Sequence, residues 1–157
     1  MSIHDIRIRE FRSGDIESIK HLMDTTINTG YSMFPSEYRQ HWMDEHHSTD
    51  HIATEASEGY TLVIECERKI IGTGNVLREQ IQSVFIHPVY QRHGYGTELI
   101  HRLEEYARKE GVGTLRLSAN TLSKQFFEAL GYRIISENPF KEDNLQQFKY
   151  YIMEKSI

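Results

Sequence analysis

The sequence predicts a mixed α/β domain: a twisted, mostly antiparallel sheet of six to seven strands flanked by about four helices. Three observations carry that prediction. Short segments that alternate apolar and polar residues, or hold a brief apolar run, recur along the chain. Longer segments between them carry apolar residues at helical spacing. In the middle, strand-like segments follow one another across short polar turns, whereas the later part runs strand–helix–strand, so the order is not a repeated βαβ array.

The elements follow in chain order. "IRIREF" (6–11) alternates as a half-buried strand does. "GDIESIKHLMDTTI" then switches period: Ile16, Ile19, Leu22 and Met23 form one stripe, with Asp15 placed to cap the helix start. "NTGYSMFP" reads as a loop around Gly30 and Pro35, and "SEYRQHWMDEHH" as a short second helix with Tyr38 and Trp42 on one face. "YTLVIEC" (60–66) and "KIIGTGNVL" (69–77) are strands joined by the turn "ERK", and "QIQSVFIHP" (80–88) is a third, whose run Val84, Phe85, Ile86 implies burial on both faces. A helix from about Tyr95 to Glu110 sets Leu99, Ile100, Leu103, Tyr106 and Ala107 on one side and Glu98, Arg102, Glu105 and Lys109 on the other, and Gly111 stops it. "TLRLSAN" (114–120) is a strand, "TLSKQFFEAL" (121–130) a helix, "GYRII" (131–135) a strand, and "FKYYIMEK" (148–155) a last strand.

Composition bounds the function classes. With 157 residues and no linker or repeat, the chain is expected to form one domain over 1–157. Its one cysteine, Cys66, has no internal partner, and a reducing, cytoplasmic setting is expected. "MSIHDIRIRE" is no signal peptide, and no segment approaches the roughly 20 apolar residues of a membrane span. A net charge of −5 argues against nucleic acid as a partner.

The chemistry sits in "QRHGYG" (91–96), between a predicted strand and a predicted helix. A helix start leaves backbone N–H groups unpaired and carries partial positive charge, so it suits phosphate oxygens. Glycines at 94 and 96 let such oxygens approach closely, and Arg92 adds a charged donor. The alternative is a tight turn that needs positive φ. A dinucleotide fingerprint is excluded because its third glycine position holds Leu99, and a Walker loop because Gly-Lys-Ser/Thr is absent.

The stretch "VFIHPVYQRHGYGTELIHRLEEYARKEG" resembles the acetyl-CoA-binding motif of the GNAT superfamily of N-acetyltransferases: an apolar strand, His-Pro, an aromatic, then Gln/Arg-x-x-Gly-x-Gly/Ala opening a long helix. "LSANTLSKQFFEALGY" resembles that family's strand–Asn–helix ending in "FYExxGF", and the element order agrees over nearly the whole chain. The resemblance implies a GNAT-like fold and an enzyme that acetylates an amine directly from acetyl-CoA. Backbone amides of Arg92, His93, Gly94, Tyr95, Gly96 and Thr97, beside Gln91, would hold the pyrophosphate. The backbone of Phe85 and Ile86 would pair with pantetheine where a bulge and splay open the sheet. Asn120 and Phe127 would meet the cofactor arm. An N–H near Phe85 would stabilise the oxyanion.

Two positions depart from the family pattern. The usual acidic Tyr is Phe127, which leaves Tyr132 as the nearest alternative acid, and the usual basic Glu aligns with Gln80, which leaves Glu79 beside it. Tyr31, Phe34 and Trp42 are the acceptor-pocket candidates. His47 and His51 stand four apart near Asp44 and Glu45, but Ser-Thr-Asp interrupts the pattern, so a solvated helix end is expected and no metal site. The expected partners are acetyl-CoA and a small-molecule or peptide amine, with no nucleic acid or membrane, acting on a monomer or homodimer. A non-catalytic acyl-CoA-binding module and transfer of another acyl group or to an oxygen acceptor stand as alternatives.

Overall fold

The structure is a computed structural model that describes residues 5–142 and 145–157. The first four residues of the stretch read for a leader sequence lie outside it. The hairpin signals in the middle of the sequence become a run of antiparallel strands: β1 (Ile6–Glu10), β2 (Tyr60–Cys66), β3 (Lys69–Leu77) and β4 (Gln80–Ile86) pair in that order. β5 (Thr114–Asn120) runs parallel to β4 and pairs with it at one position, Gln80 with Arg116. β7 (Lys149–Ser156) lies between β5 and β6 (Arg133–Pro139), antiparallel to both, which gives a seven-stranded sheet in the order β1-β2-β3-β4-β5-β7-β6.

Helices cover both faces. On one, α1 (Ile16–Gly30) and α3 (Thr49–Glu58) bury Ile19, Leu22, Met23, Ile27 and Ile52 against Val63 and Phe85. On the other, α4 (Tyr95–Lys109) buries Leu99, Ile100, Leu103 and Ala107 against Leu62, Ile64, Leu115, Leu117 and Met153. Burying one such aliphatic side chain is worth about 1.5–3 kcal/mol. α2 (Ser36–His41) and α5 (Lys124–Ala129) are short.

The helical region after β1 differs from the sequence expectation in four ways. α1 continues through residues 28–30, which read as loop. The single helix expected over 36–47 is α2 followed by a wide π turn, Trp42–His46. Ser48, Thr49 and Asp50 are the start of a helix rather than a break: the Ser48 hydroxyl accepts the His51 N–H at 3.1 Å and caps α3. Asp15 does not cap α1. Its carboxylate accepts Arg9 Nη1 and Nη2 at 2.9 Å each and the Arg12 N–H at 2.8 Å. Burial pushes the Asp15 carboxyl up, but these donors outweigh it and hold it below the usual range.

Tyr132 does not reach the opening of the sheet. It is 2 % exposed, and its hydroxyl donates to Glu104 of α4 at 2.7 Å. Burial and that carboxylate push the phenol well above the ordinary tyrosine range, the opposite of what an acid at neutral pH needs. Lys155 of β7 completes the group, with Nζ 2.9 Å from Glu104 Oε2. Glu104, on the side of α4 that was expected to be apolar, therefore ties α4 to β7 and to the chain just before β6. Lys155→Ala leaves that buried carboxylate without its cation and is expected to cost about 3 kcal/mol, read from denaturant unfolding.

Candidate active site

Where β4 parts from β5, the sheet opens. Thr73 pairs with Phe85 but Asn75 with Gln82, so β4 holds one residue more than β3 over that span. Ser83 sits in the resulting bulge with φ 54. A bulge bends its strand and interrupts pairing. The gap forms the floor of a cleft of about 1380 Å³, roomier than the 300–1,000 Å³ or so of a usual small-molecule pocket.

The parity of the β3–β4 ladder decides which backbone faces the cleft. The His87 N–H donates to the Ile71 carbonyl at 2.8 Å. Bonded pairs alternate along an antiparallel ladder, so Phe85 exchanges its bonds with Thr73 while Val84 and Ile86 turn theirs outward. The expected oxyanion contact at the Phe85 amide is thereby corrected: that N–H serves the sheet, and the one facing the gap is that of Ile86. The Ile86 carbonyl accepts Gln91 Nε2 at 2.8 Å. The Phe85 side chain points to the α1–α3 face, edge-on to His47 at 5.0 Å.

At one end of the cleft α4 begins. Gly94 is its N-cap with φ 85, and the Glu98 N–H closes onto the Gly94 carbonyl at 3.1 Å, so the amides of Tyr95, Gly96 and Thr97 precede the first helical bond. The two glycines do different work. A Cβ at Gly94 would meet nothing within 4 Å, but the left-handed φ disfavours any other residue; a Cβ at Gly96 would stand 3.2 Å from the Phe126 ring. Arg92, Gly94, Gly96 and Thr97 line the cleft, as do Phe85, Ile86, Gln91, Asn120 and Phe127. His93 and Tyr95 are not among the lining residues: His93 Nδ1 lies 2.8 Å from the Gln91 carbonyl and its ring stacks on Tyr95, so the pair braces the loop. Asn120 Oδ1 accepts the N–H groups of Leu122 and Ser123 at 2.9 and 3.0 Å, which shapes the entry to α5. Phe127 is 5 % exposed, edge-on to Phe126.

The other end is aromatic. Tyr31, Phe34 and Trp42 line it as the sequence suggests, joined by Tyr38 and Phe140. Tyr31 meets the Trp42 edge at 5.1 Å, and Phe34 stacks on Phe140 at 5.5 Å. Phe140 follows β6, far from the others in sequence, and no local pattern marks it.

The titratable residues of the cleft are not those expected. Glu79 lies exposed in the β3–β4 turn, away from the cleft. Glu55 of α3 lines the cleft instead, with Oε1 accepting the Ser83 hydroxyl at 2.9 Å. Burial raises the Glu55 carboxyl, and the Ser83 bond lowers it in part. His47 is a half-buried wall of the cleft rather than a solvated helix end, and His51 also lines it. Burial, helped by the nearby His46, His51 and Lys20, pushes His47 down to about 3. Among the described residues, no group of three or more metal-ligating side chains gathers.

Residues 25–132 match the model of the acetyltransferase (GNAT) family, and the chain belongs to that family. It is an acetyltransferase by class. Over 127 residues, 74 % of this chain and 82 % of the other, it is 27 % identical to the uncharacterized protein YyaT of Bacillus subtilis. Three solved structures show the same fold. A GCN5-related N-acetyltransferase from Rhodopseudomonas palustris superposes with TM-score 0.85 at 22 % identity, covering 100 % of this chain and 99 % of that one. PaiA N-acetyltransferase from Thermoplasma acidophilum, in complex with coenzyme A, gives 0.80 at 19 % identity over 100 % of both chains. The putative acetyltransferase yncA from Salmonella typhimurium, with acetyl-CoA, gives 0.73 at 19 % identity over 96 % and 93 %. Among the described residues, no helix is long and apolar enough to cross a membrane.

The depressed His47 has a measurable consequence. Its folded-state value lies near 3, below the 6.5 of an exposed histidine, so the unfolded chain binds the extra proton and stability falls as pH drops below 6.5. Tm measured between pH 6.5 and 4.5 is expected to fall less steeply in His47→Gln than in the unaltered protein.

Proposed function

We propose that the protein moves the acetyl group of acetyl-CoA to a primary amine carried on an apolar or aromatic body, by direct attack within a ternary complex. The observation that carries this reading is one continuous cleft: unpaired helix-start amides at one end, the outward-facing backbone of Ile86 at the bulge, and an aromatic wall at the other end. The amides of Tyr95, Gly96 and Thr97 with Arg92 fit a pyrophosphate, and the Val84 and Ile86 backbone fits the amides of an extended pantetheine arm as an added strand. Gln91 would then share or yield the Ile86 carbonyl. Bound acetyl-CoA would supply an activated thioester carbonyl, whose oxygen the Ile86 N–H is placed to meet as negative charge develops. The faces of Tyr31 and Trp42 attract an ammonium group and shelter its apolar body. The cytoplasmic, reducing setting fits the unpaired, buried Cys66.

Phe127 supports the non-catalytic alternative, because phenylalanine has no proton for the departing sulfur. A thiol of pKa about 8.5 is nonetheless a tolerable leaving group near neutral pH. The reading is tested by thiol release from acetyl-CoA over a panel of phenethylamine-type amines, polyamines, amino acids and short peptides. Aralkyl amines are expected to give the highest kcat/KM. A rise in Tm with acetyl-CoA but no release from any amine would leave a binding module. Trp42→Ala is expected to raise the KM of the amine about 3- to 30-fold with the acetyl-CoA-induced Tm shift unchanged. Phe127→Tyr is expected to give equal or modestly higher turnover in the same assay.

A further inference from the structure

Resting on the acetyl-transfer reading, we propose that Glu55 is the base that takes the proton from the acceptor ammonium, and that Ser83, the bulge residue of β4, positions it. Glu55 is gripped at two points. Its main-chain carbonyl accepts Asn75 Nδ2 of β3 at 3.0 Å, and Asn75 is itself held by Thr61 Oγ1 at 2.8 Å and by Gln82 Nε2 at 2.9 Å. Its Oε1 accepts the Ser83 hydroxyl at 2.9 Å. Among the described residues none donates to Oε2, and no buried side-chain oxygen lacks a partner, so Oε2 is accessible, on a residue that lines the cleft. The bulge that places Ser83 also turns the Val84 and Ile86 backbone outward, so carboxylate and oxyanion donor are set by the same irregularity.

The surroundings keep this carboxyl tunable. The titratable group acting on it is His51, one turn earlier on α3; β2, β3 and β4 present Thr61, Asn75 and Ser83, all neutral. Burial lifts its proton affinity above that of a surface carboxylate, which improves a base working near neutral pH. In the transfer, one proton of the ammonium passes to Oε2 and on to solvent, the freed nitrogen pair forms the N–C bond to the acetyl carbon, and a second N–H proton then leaves the nitrogen. The C–S bond breaks with its pair on sulfur, and this second proton is finally carried by the CoA thiol. Ammonium and acetyl-CoA thus give amide, CoA and one proton released to solvent.

The test compares pH–rate profiles of thiol release for the unaltered protein, Glu55→Gln and Ser83→Ala, with acetyl-CoA-induced Tm shifts alongside. Glu55→Gln keeps an acceptor for Ser83 and is expected to lower kcat about 10²- to 10⁴-fold, abolish the acid limb and leave the Tm shift intact. Ser83→Ala removes a bond that favours the charged carboxylate, so its acid limb is expected to move to higher pH; a merely structural role would lower Tm without moving the limb. Turnover in Glu55→Gln like that of the unaltered protein, with the acid limb in place, overturns the role of Glu55 and leaves acetyl transfer standing. Absence of thiol release by the unaltered protein with every amine overturns acetyl transfer and the base together.

Discussion

The extra residue in β4 is the constraint on which the rest of the site depends. Without it, β4 would continue alongside β5 and the sheet would close. With it, pairing stops after Gln80 and Arg116, and the backbone of Val84 and Ile86 is left as an unpaired edge in the middle of a seven-stranded sheet. Unpaired edges invite another strand. Here the edge lies within a cleft that has room for a small extended ligand. The positive φ at Ser83 is the local strain of this arrangement, and its hydroxyl is anchored to the helix across the gap.

Charge in the cleft is arranged with similar asymmetry. The end at the start of α4 offers oriented amides and Arg92, which suit an anion. The aromatic end offers carboxylate, neutral imidazole and ring faces, which suit a cation. A bound anion at one end and a cation at the other would each improve the field felt by the other, so the two substrates need not compete for one kind of surface.

The parts of this site that were legible in the sequence are those fixed by short-range rules. The glycines at the start of α4 are local chemistry: one supplies a left-handed residue, the other leaves room for Phe126. The strands of the middle hairpins follow their alternation. What stayed hidden depends on contacts across the chain. Glu55 meets Ser83 28 positions further along the chain, and Tyr132 finds Glu104 over the same separation. α3 was missed because it buries one aliphatic residue, Ile52, and its capping serine reads as an interruption. Which of the Phe85 and Ile86 amides turns outward was not legible, because a bulge changes ladder parity without leaving a composition signal.

The place of β7 has a consequence for how the molecule is made. β7 follows every other element in the chain, yet it lies inside the sheet, bonded to β5 on one side and β6 on the other. On a ribosome, β1 to β4 emerge able to pair with their neighbours in order. β5 and β6 emerge without a mutual partner and wait, apolar faces open, until residues 149–156 have cleared the exit tunnel. The half of the sheet that carries Asn120 therefore forms after synthesis of its final strand rather than during it, and shortening that strand by a few residues would remove pairing from two neighbours at once.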